Sequence, residues 1–271
     1  MNNFDLSIVI LNYKTQKLVK YCIWGIKKLK LPLKYEIIVI DNNSDDGCAE
    51  MIKKNFIDVK FIQADENRGY AAGNNLGIKK AQGKYLLILN PDIAFLGKAI
   101  EKMYEFMENH PEIGILGPKL LNADYTLQYS CGIFPDWHLP FYRRTFLGKT
   151  KNGQAWLKKY LMMEWNHQEN REIDWVFGAC LMVRKKALDK IGLLDERFFL
   201  YLEDTDWCRR FWENNYKVVY FAKAEVIHYH QRSSAENLGL RGLLSRPGRI
   251  HLASFFKYYF KYLGKPNPHK N

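Results

Sequence analysis

Ser7-Ile8-Val9-Ile10-Leu11-Asn12-Tyr13 is the stretch that decides the fold, because an apolar run over residues 6–11 ends there in polar side chains. Similar apolar runs follow at residues 36–40, 59–62 and 85–89. These runs barely alternate, which is typical of strands buried on both faces of a parallel sheet. Helix-like stretches occupy residues 18–29, 48–55, 71–81 and 98–109. The pattern predicts an α/β fold with a mostly parallel central sheet and helices on both faces.

The composition indicates a globular protein with an anionic partner. The chain has 271 residues, of which 47% are hydrophobic, and 41 Lys and Arg against 29 Asp and Glu give a net charge of +12. This composition argues against disorder of the whole chain, and the charge favours nucleic acid, a nucleotide phosphate or an acidic lipid headgroup as partner. Neither GxGxxG nor GxxxxGK[ST] occurs, so Rossmann dehydrogenases and P-loop NTPases lose their main support.

The cysteines and the N-terminus indicate the compartment. The five cysteines are scattered and contain no CxxC pair, which argues against a disulfide framework or a Cys-based zinc site and favours a reducing environment. The N-terminus lacks the basic region of a signal peptide, and no run of about 18 apolar residues predicts a membrane span. A cytoplasmic protein is therefore expected.

The second half of the chain is less regular. Residues 121–172 predict an irregular or helical insertion with a basic stretch, and order returns at 173–183. The acids Glu203, Asp204 and Asp206 open a predicted helix, which carries Trp207, Cys208, Phe211 and Trp212 on one face. A strand pair is predicted at 218–221 and 225–229. It ends at His228, with His230 two residues further on.

The C-terminal tail is basic and aromatic. From Arg232 onward it holds eight Lys and Arg against one acid, Glu236, and residues 250–263 combine aromatic rings with Lys257 and Lys261 at i, i+4 spacing. Such a helix can lie on an anionic membrane surface, or it can pack on the domain as an ordinary C-terminal helix. Binding of RNA by stacking is a third alternative, but no nucleic-acid motif supports it.

Polar residues follow the predicted strands, at the edge where ligands bind in such sheets. Asp92, in Asn90-Pro91-Asp92, is placed to hold Mg²⁺ or Mn²⁺ and through it a diphosphate, although these residues also form turns. One imidazole, His228, would complete a Mn²⁺ site, while a purely structural histidine is the alternative. Crowded carboxylates at 203–206 raise one another's pKa, as a general base requires; stabilisation of the helix N-terminus is the alternative.

Taken in order, these motifs resemble the inverting family-2 glycosyltransferases with a GT-A fold, and most closely their rhamnosyltransferase-like branch. The resemblance covers about residues 5–234 and rests on the stretches 7–13, 41–44, 66–75, 89–92, 174–179 and 199–206 and on the strand ending in His228. It implies a catalytic domain over 1–234, with a nucleotide-binding half (1–120), the insertion (121–172) and an acceptor or catalytic half (173–234). Residues 235–271 would form a basic, aromatic, helical tail.

The resemblance also implies roles for single residues. Asp204 would deprotonate the acceptor hydroxyl with Glu203 beside it, and Asp92 and His228 would ligate Mg²⁺ or Mn²⁺. Trp175 and Gly178 would lie near the acceptor. The nucleotide-sugar site would comprise Asn12, Tyr13, Asp41, Asn43, Asn67, Gly69, Asn74, Asn90, Pro91 and Asp92. Asn90 departs from the family's usual Asp-x-Asp, which should weaken metal binding, but the same form is common in this branch.

The expected activity is metal-dependent, inverting transfer of a sugar from a nucleotide diphosphate to a cell-surface polysaccharide or lipid-linked glycan precursor. dTDP-rhamnose is the expected donor, and UDP-hexoses and UDP-galactofuranose remain open. The tail would hold the enzyme on the inner face of the plasma membrane, and no nucleic-acid partner is expected. Two other classes of protein are alternatives. A nucleotidyltransferase would need a Gly-rich basic loop after the first strand, which residues 12–15 lack, and a non-catalytic, membrane-associated sugar-nucleotide-binding protein would not need the acids retained here.

Overall fold

The computed structural model describes residues 4–229 and 245–269. Twelve strands lie in these ranges: β1 Phe4–Asn12, β2 Tyr35–Asp41, β3 Lys60–Gln63, β4 Gly83–Leu89, β5 Ile93–Phe95, β6 Ile113–Leu121, β7 Leu127–Gln128, β8 Cys131–Gly132, β9 Arg171–Glu172, β10 Trp175–Val176, β11 Cys180–Arg184 and β12 Lys217–His228. The α-helices there are α1 Gln16–Lys28, α2 Cys48–Asn55, α3 Gly69–Lys80, α4 Ala99–Asn109, α5 Leu139–Arg144, α6 Lys151–Tyr160, α7 Leu188–Ile191, α8 Glu203–Trp212 and α9 Arg246–Tyr262.

The central sheet has the strand order β3-β2-β1-β4-β11-β6-β12-β5. The first four strands are parallel, β11 runs against both β4 and β6, and β12 is parallel to β6. Six of these eight strands therefore share one direction, and only β11 and β5 oppose it. The predicted mostly parallel α/β sheet is confirmed.

Two apolar cores cover the two faces of this sheet. One contains the inner faces of α1, α2 and α4, and the other those of α3, α8 and α9. The approach of α3 to the sheet requires glycine at Gly77, because a Cβ there would lie 2.5 Å from Cδ1 of Ile40. Trp207, Cys208 and Phe211 are fully buried on α8, as the predicted apolar face requires.

The predicted strand pair at 218–221 and 225–229 is wrong. Residues 217–228 form one strand, β12, which pairs with β6 along its length. The register with β6 shifts between Phe221 and Glu225, so the polar interruption in the sequence marks a bulge and not a turn. The bulge redirects the end of the strand, where His228 lies opposite Ile93 of β5.

The region 121–172 contains short strands, α5 and α6, and α9 packs beside α5. Phe255, Tyr258 and Tyr262 of α9 are buried, so one face of this helix belongs to the core. Within residues 4–229 and 245–269, no helix is both long and apolar enough to cross a membrane. All five cysteines are buried free thiols, as expected from their spacing. His230, Arg232, Glu236 and the predicted boundary at 234 lie outside the described residues.

Candidate functional site

Asn12 and Asp41 form a buried polar pair at the carboxyl ends of β1 and β2. These two residues are direct neighbours in the parallel register, and Asn12 Nδ2 donates to Asp41 Oδ1 at 2.8 Å. Gln63, at the end of β3, donates to the second Asp41 oxygen at 3.1 Å, and Ser44 donates its hydroxyl to the first. A carboxylate held by several donors on three adjacent strand ends is a fixed acceptor for the polar edge of a base.

Tyr13 and Asn43 lie at the rim of this pair. Tyr13 is 41% exposed, and Asn43 is exposed at a φ of 55° in the turn after β2. Asn tolerates this left-handed conformation better than most residues, so Asn43 shapes the turn that carries Ser44 back to Asp41. Gln63 and Ser44 are contacts that the sequence reasoning did not single out.

A second polar loop precedes α3. Asn67 Oδ1 accepts hydrogen bonds from Asn42 Nδ2 and from the Gly69 N–H, both at 2.9 Å. Gly69 has a φ of +94°, and a Cβ there would lie 2.1 Å from the backbone oxygen of Phe199. Asn74 is fully buried on the first turns of α3. Only glycine therefore fits where this loop touches the segment that leads to α8.

Asp92, directly before β5, and His228, at the end of β12, form a pair. His228 Nε2 lies 3.4 Å from Asp92 Oδ1, and the Tyr229 N–H donates to the Asp92 carbonyl at 2.9 Å. On the other side of the ring, Nδ1 donates to Gln128 Oε1 at 2.8 Å. An amide oxygen only accepts, so Nδ1 carries the proton in this hydrogen bond. In a neutral imidazole, Nε2 then has no proton, and its lone pair faces the side of the Asp92 carboxylate.

This donor set fits a divalent cation. One carboxylate oxygen and one imidazole nitrogen suit Mn²⁺, and they leave most of the coordination sphere to a diphosphate and water. In the described part of the chain, no cluster of three or more His, Cys, Asp or Glu side chains is placed to hold a metal. A cation here would depend on ligands from the nucleotide. Asn90 and Pro91 are half-buried beside the pair.

Asp204 lies in the first turn of α8 and is buried. Its Oδ2 accepts the Gly178 N–H at 2.8 Å, and its Oδ1 accepts the Thr205 N–H at 2.7 Å. Burial raises the pKa of Asp204 above its usual range, while these backbone hydrogen bonds lower it. Burial, followed by the charge of Asp204, raises the pKa of Glu203 well above its usual range. Burial therefore favours the protonated form of both carboxyl groups.

The segment 177–179 connects the predicted groups. The ring of Phe177 lies 6.0 Å from that of His228, the Gly178 N–H binds Asp204, and the Ala179 carbonyl accepts the Asn90 N–H at 2.9 Å. The Gly178 carbonyl also accepts the Tyr70 hydroxyl at 2.6 Å, which ties α3 to the same three residues. The pair of Asp92 and His228, the carboxyl pair and the α3 loop are thus connected through one short segment.

Backbone strain accompanies this arrangement. Tyr201 and Leu202, directly before Glu203, have φ values of 72° and 66°. Two successive non-glycine residues in the left-handed region are unfavourable, and such strain persists where the surroundings fix the conformation. The turn places Glu203 and Asp204 at the positive end of α8, where the helix dipole stabilises their charged forms.

Trp175 is deeper than its predicted role suggests. Its indole N–H donates to the Ile133 carbonyl at 2.7 Å, and its ring packs on Tyr160. Gly178 lies at the site itself, with space beside it bounded by Tyr70 and Asp204. Sequence reasoning missed Gln128, which lies in the irregular region and carries no pattern, whereas Tyr70 stood inside a quoted motif without an assigned role.

Comparisons with known proteins identify the family of the chain. Residues 7–192 match the profile of the family described as "Glycosyl transferase family 2". The chain is 26% identical over 239 residues to a low-salt glycan biosynthesis hexosyltransferase, Agl10, of Haloferax volcanii, covering 83% of this chain and 67% of that one. It is 25% identical over 212 residues to an N-acetylglucosaminyl-diphospho-decaprenol L-rhamnosyltransferase of Mycobacterium tuberculosis, covering 74% of this chain and 68% of that one.

Solved structures share the fold. A mannosyltransferase of Pyrobaculum calidifontis, in complex with GDP-Man and Mn²⁺, superposes with a TM-score of 0.63 at 15% identity, over 98% of this chain and 67% of that one. GalNAc-T7 with UDP, GalNAc and Mn²⁺ gives 0.66 at 15% identity, over 97% of this chain and 48% of that one. The profile match covers more than half of the chain, and the protein therefore belongs to glycosyl transferase family 2.

Proposed function

We propose that the protein is a metal-dependent, inverting glycosyltransferase that moves rhamnose from dTDP-rhamnose to a hydroxyl of a lipid-linked glycan or cell-surface polysaccharide precursor. The observation that carries this proposal is the segment 177–179, which connects Asp204 to the pair Asp92 and His228. A single in-line displacement needs a base on one side of the site and, on the other side, a group that neutralises the charge of the diphosphate.

The residues have the following parts in the reaction. Asp41 with Asn12 holds the base, and the loop of Asn67, Gly69 and Asn74 lines the nucleotide and the sugar. Asp204 removes the proton of the acceptor hydroxyl, whose oxygen forms a bond to the anomeric carbon. The bond from that carbon to the diphosphate oxygen breaks, and the configuration inverts.

Three further groups support this step. The Gly178 N–H keeps the Asp204 carboxylate oriented, and burial favours the protonated form of Glu203, which limits repulsion beside the base. Asp92 and His228 would hold Mg²⁺ or Mn²⁺, which supplies Lewis-acid neutralisation of the diphosphate. In the division of labour that we propose, residues 1–120 bind the nucleotide, residues 173–234 present the base and the acceptor, and Trp175 and Gly178 lie near the acceptor.

The donor is the least constrained part of the proposal. The mycobacterial relative is named as an L-rhamnosyltransferase acting on a decaprenol-linked sugar, which favours rhamnose and a polyprenyl-linked acceptor. The haloarchaeal relative is named as a hexosyltransferase, so a UDP-hexose, or UDP-galactofuranose, is the second candidate. A polyprenyl-linked acceptor would lie in a membrane, and we therefore propose that the enzyme is peripheral on the cytoplasmic face of that membrane.

Thermal shift with dTDP-, UDP- and GDP-sugars, each with and without Mn²⁺ or Mg²⁺, tests the donor and the metal together. We expect a metal-dependent stabilisation that is largest with dTDP-rhamnose, because binding to the folded state alone raises the unfolding temperature. A larger shift with a UDP-sugar would select the second candidate. No shift with any nucleotide would contradict the proposed function.

Transfer assays with Asp204→Asn test the base. We expect transfer to fall by about 10²- to 10⁴-fold with donor binding retained, since removal of a positioned base costs that much. Asp189→Asn, an exposed acid on α7, is the matched control and should leave transfer unchanged. Full activity of Asp204→Asn in a folded protein would exclude this residue as the base.

A further inference from the structure

A second apolar surface lies apart from the nucleotide site, where α5 meets α9. The two helices enclose a groove of about 390 Å³, lined among others by Trp137, Phe141, Leu252, Phe256, Tyr259 and Phe260. Trp137, Phe141, Phe256 and Phe260 are 46–67% exposed, and we call these four rings the aromatic face. Large apolar groups this exposed, and grouped around one groove, mark an interaction surface.

The outer side of α9 extends this face as a helical stripe. Arg249, Ala253, Phe256, Phe260 and Leu263 are all exposed and recur at intervals of three or four residues. The inner side carries the buried rings of the core, so α9 is apolar on both sides. A helix in a domain that faces only water on its outer side would carry polar residues there. The outer rings thus need a partner that the core does not supply.

The charge around the face is mainly positive, although Asp136 precedes Trp137 and Asp195 pairs with Lys261. Residues 137–163 and 245–269 together hold eleven Lys and Arg and no Asp or Glu. Lys257 and Lys261 turn back to the domain, where they bind the Arg197 carbonyl and Asp195. Lys149 and Lys151 are exposed near α5. A second copy of this chain would meet the face with like charge, whereas an anionic bilayer offers both hydrocarbon and negative headgroups.

The helix α9, which carries two rings of the aromatic face, also contacts the turn before Glu203. The Ser254 hydroxyl donates to the Leu200 carbonyl at 2.8 Å, and the ring of His251 lies 5.3 Å from that of Tyr201. Leu200 and Tyr201 belong to the strained turn that ends at Glu203. A surface anchored through α9 is therefore held against the turn that presents the base.

We propose that the aromatic face, made jointly by α5 and α9, docks the enzyme on an anionic bilayer. The rings enter the interface between headgroups and acyl chains, and the surrounding lysines contact the headgroups. The functional role of this docking rests on the proposed function, because docking would bring the enzyme to a polyprenyl-linked acceptor in the same bilayer. The docking itself needs neither donor nor acceptor.

Vesicle sedimentation tests the proposal with the full chain. Vesicles of phosphatidylglycerol and phosphatidylcholine should bind the protein at low salt, and vesicles of phosphatidylcholine alone should bind it at least tenfold more weakly. Phe256→Ser with Phe260→Ser should weaken binding to the anionic vesicles tenfold or more, because two exposed rings leave the interface. Lys149→Glu with Lys151→Glu should have an effect of the same size.

Matched control variants test whether the effect belongs to the aromatic face or to the loss of any exposed apolar or basic residues. Trp24→Ser with Ile57→Ser replaces two apolar residues of similar or greater exposure elsewhere, and Lys53→Glu with Lys54→Glu repeats the charge reversal on α2. The charge-reversal control should bind vesicles within about threefold of the unaltered protein. The apolar control should bind them within about twofold of the unaltered protein. A control pair that weakened binding as much as its counterpart would overturn the proposal.

Two further outcomes would also overturn it. One is unaltered binding by the Phe256 and Phe260 variant; the other is the absence of vesicle binding together with retention on single-stranded RNA. Transfer to a water-soluble acceptor distinguishes this result from a failure of the proposed function. That activity should be unchanged in the face variants, and a protein that binds vesicles without any transfer activity would support the docking alone.

Discussion

Asp206 offers the sharpest test of how α9 is held to the rest of the chain. This carboxylate is fully buried on α8, two residues after the proposed base. It accepts hydrogen bonds from Lys261 Nζ at 2.5 Å, from the Tyr262 hydroxyl at 2.8 Å and from Arg210 Nε at 2.9 Å. Asp206→Asn keeps the shape of the side chain but leaves two cations facing each other around a neutral amide.

The loss in the free energy of unfolding depends on the contacts that Lys261 and Arg210 keep in the variant. Breaking a buried ion pair from one side costs about 3–5 kcal/mol. Lys261 keeps its ion pair with Asp195, and Arg210 keeps its hydrogen bonds to the carbonyls of Ile191 and Leu193. Each cation therefore still has a polar partner. We therefore expect the lower end, about 3 kcal/mol. For a chain of this length that loss corresponds to an unfolding temperature about 6 °C lower.

Urea unfolding followed by circular dichroism measures this loss, with Asp58→Asn as control. Asp58 also pairs with a lysine, Lys27, but both side chains are substantially exposed. Exposed pairs contribute about 0–1 kcal/mol, so the control should stay within that limit. If Asp206→Asn were as harmless as the control, the network would not stabilise the fold, and the close packing of α9 on α8 would need another cause.

Three other changes test separate parts of the site. Burial raises the pKa of Glu203 above 4.5, so the folded protein keeps a proton that the unfolded chain releases, and stability is lost as the pH rises above that value. Glu203→Gln should therefore raise the melting temperature more at pH 8 than at pH 5, and an equal shift at both values would contradict this assignment. Gly69→Ala should destabilise the fold and abolish donor binding because of its clash with Phe199, whereas Gly25→Ala, with open space on α1, should be neutral or stabilising. Gln128→Ala should raise the Mn²⁺ concentration needed for half-maximal activity by about 10- to 100-fold, since Gln128 orients His228, and an unchanged requirement would remove His228 from the metal site.

The sheet could be predicted because its strands are short, apolar and buried on both faces. That pattern is local, and the parallel register then placed Asn12 beside Asp41 without further information. The bulge in β12 could not be predicted, because nothing in Ala222-Lys223-Ala224 distinguishes a bulge from a break between two strands. Pairing with β6 on both sides of the interruption keeps the strand continuous, and this is a tertiary effect.

The site was predicted as separate groups, and its connections were not. Asp92, His228 and Asp204 were recognisable because carboxylates and imidazoles at strand and helix ends carry a chemical signal. Gln128 carries none, since an amide in an irregular segment is ordinary until the fold places it 2.8 Å from an imidazole. The tail was left open between a membrane surface and a packed helix, and α9 has both a buried face and an exposed aromatic one.

Under the proposed function, the segment 177–179 would let this site tolerate Asn90, where the resemblance leads us to expect the first Asp of an Asp-x-Asp. Asn90 is held through its backbone N–H by the Ala179 carbonyl, so its position does not depend on its side chain. The same segment fixes Asp204 through the Gly178 N–H and packs Phe177 on His228. Three groups that a loop would leave mobile are thereby held by one strand end. In the proposed mechanism, preorganisation of this kind would let two protein ligands and one base suffice, because little ordering remains to be done when donor and acceptor bind.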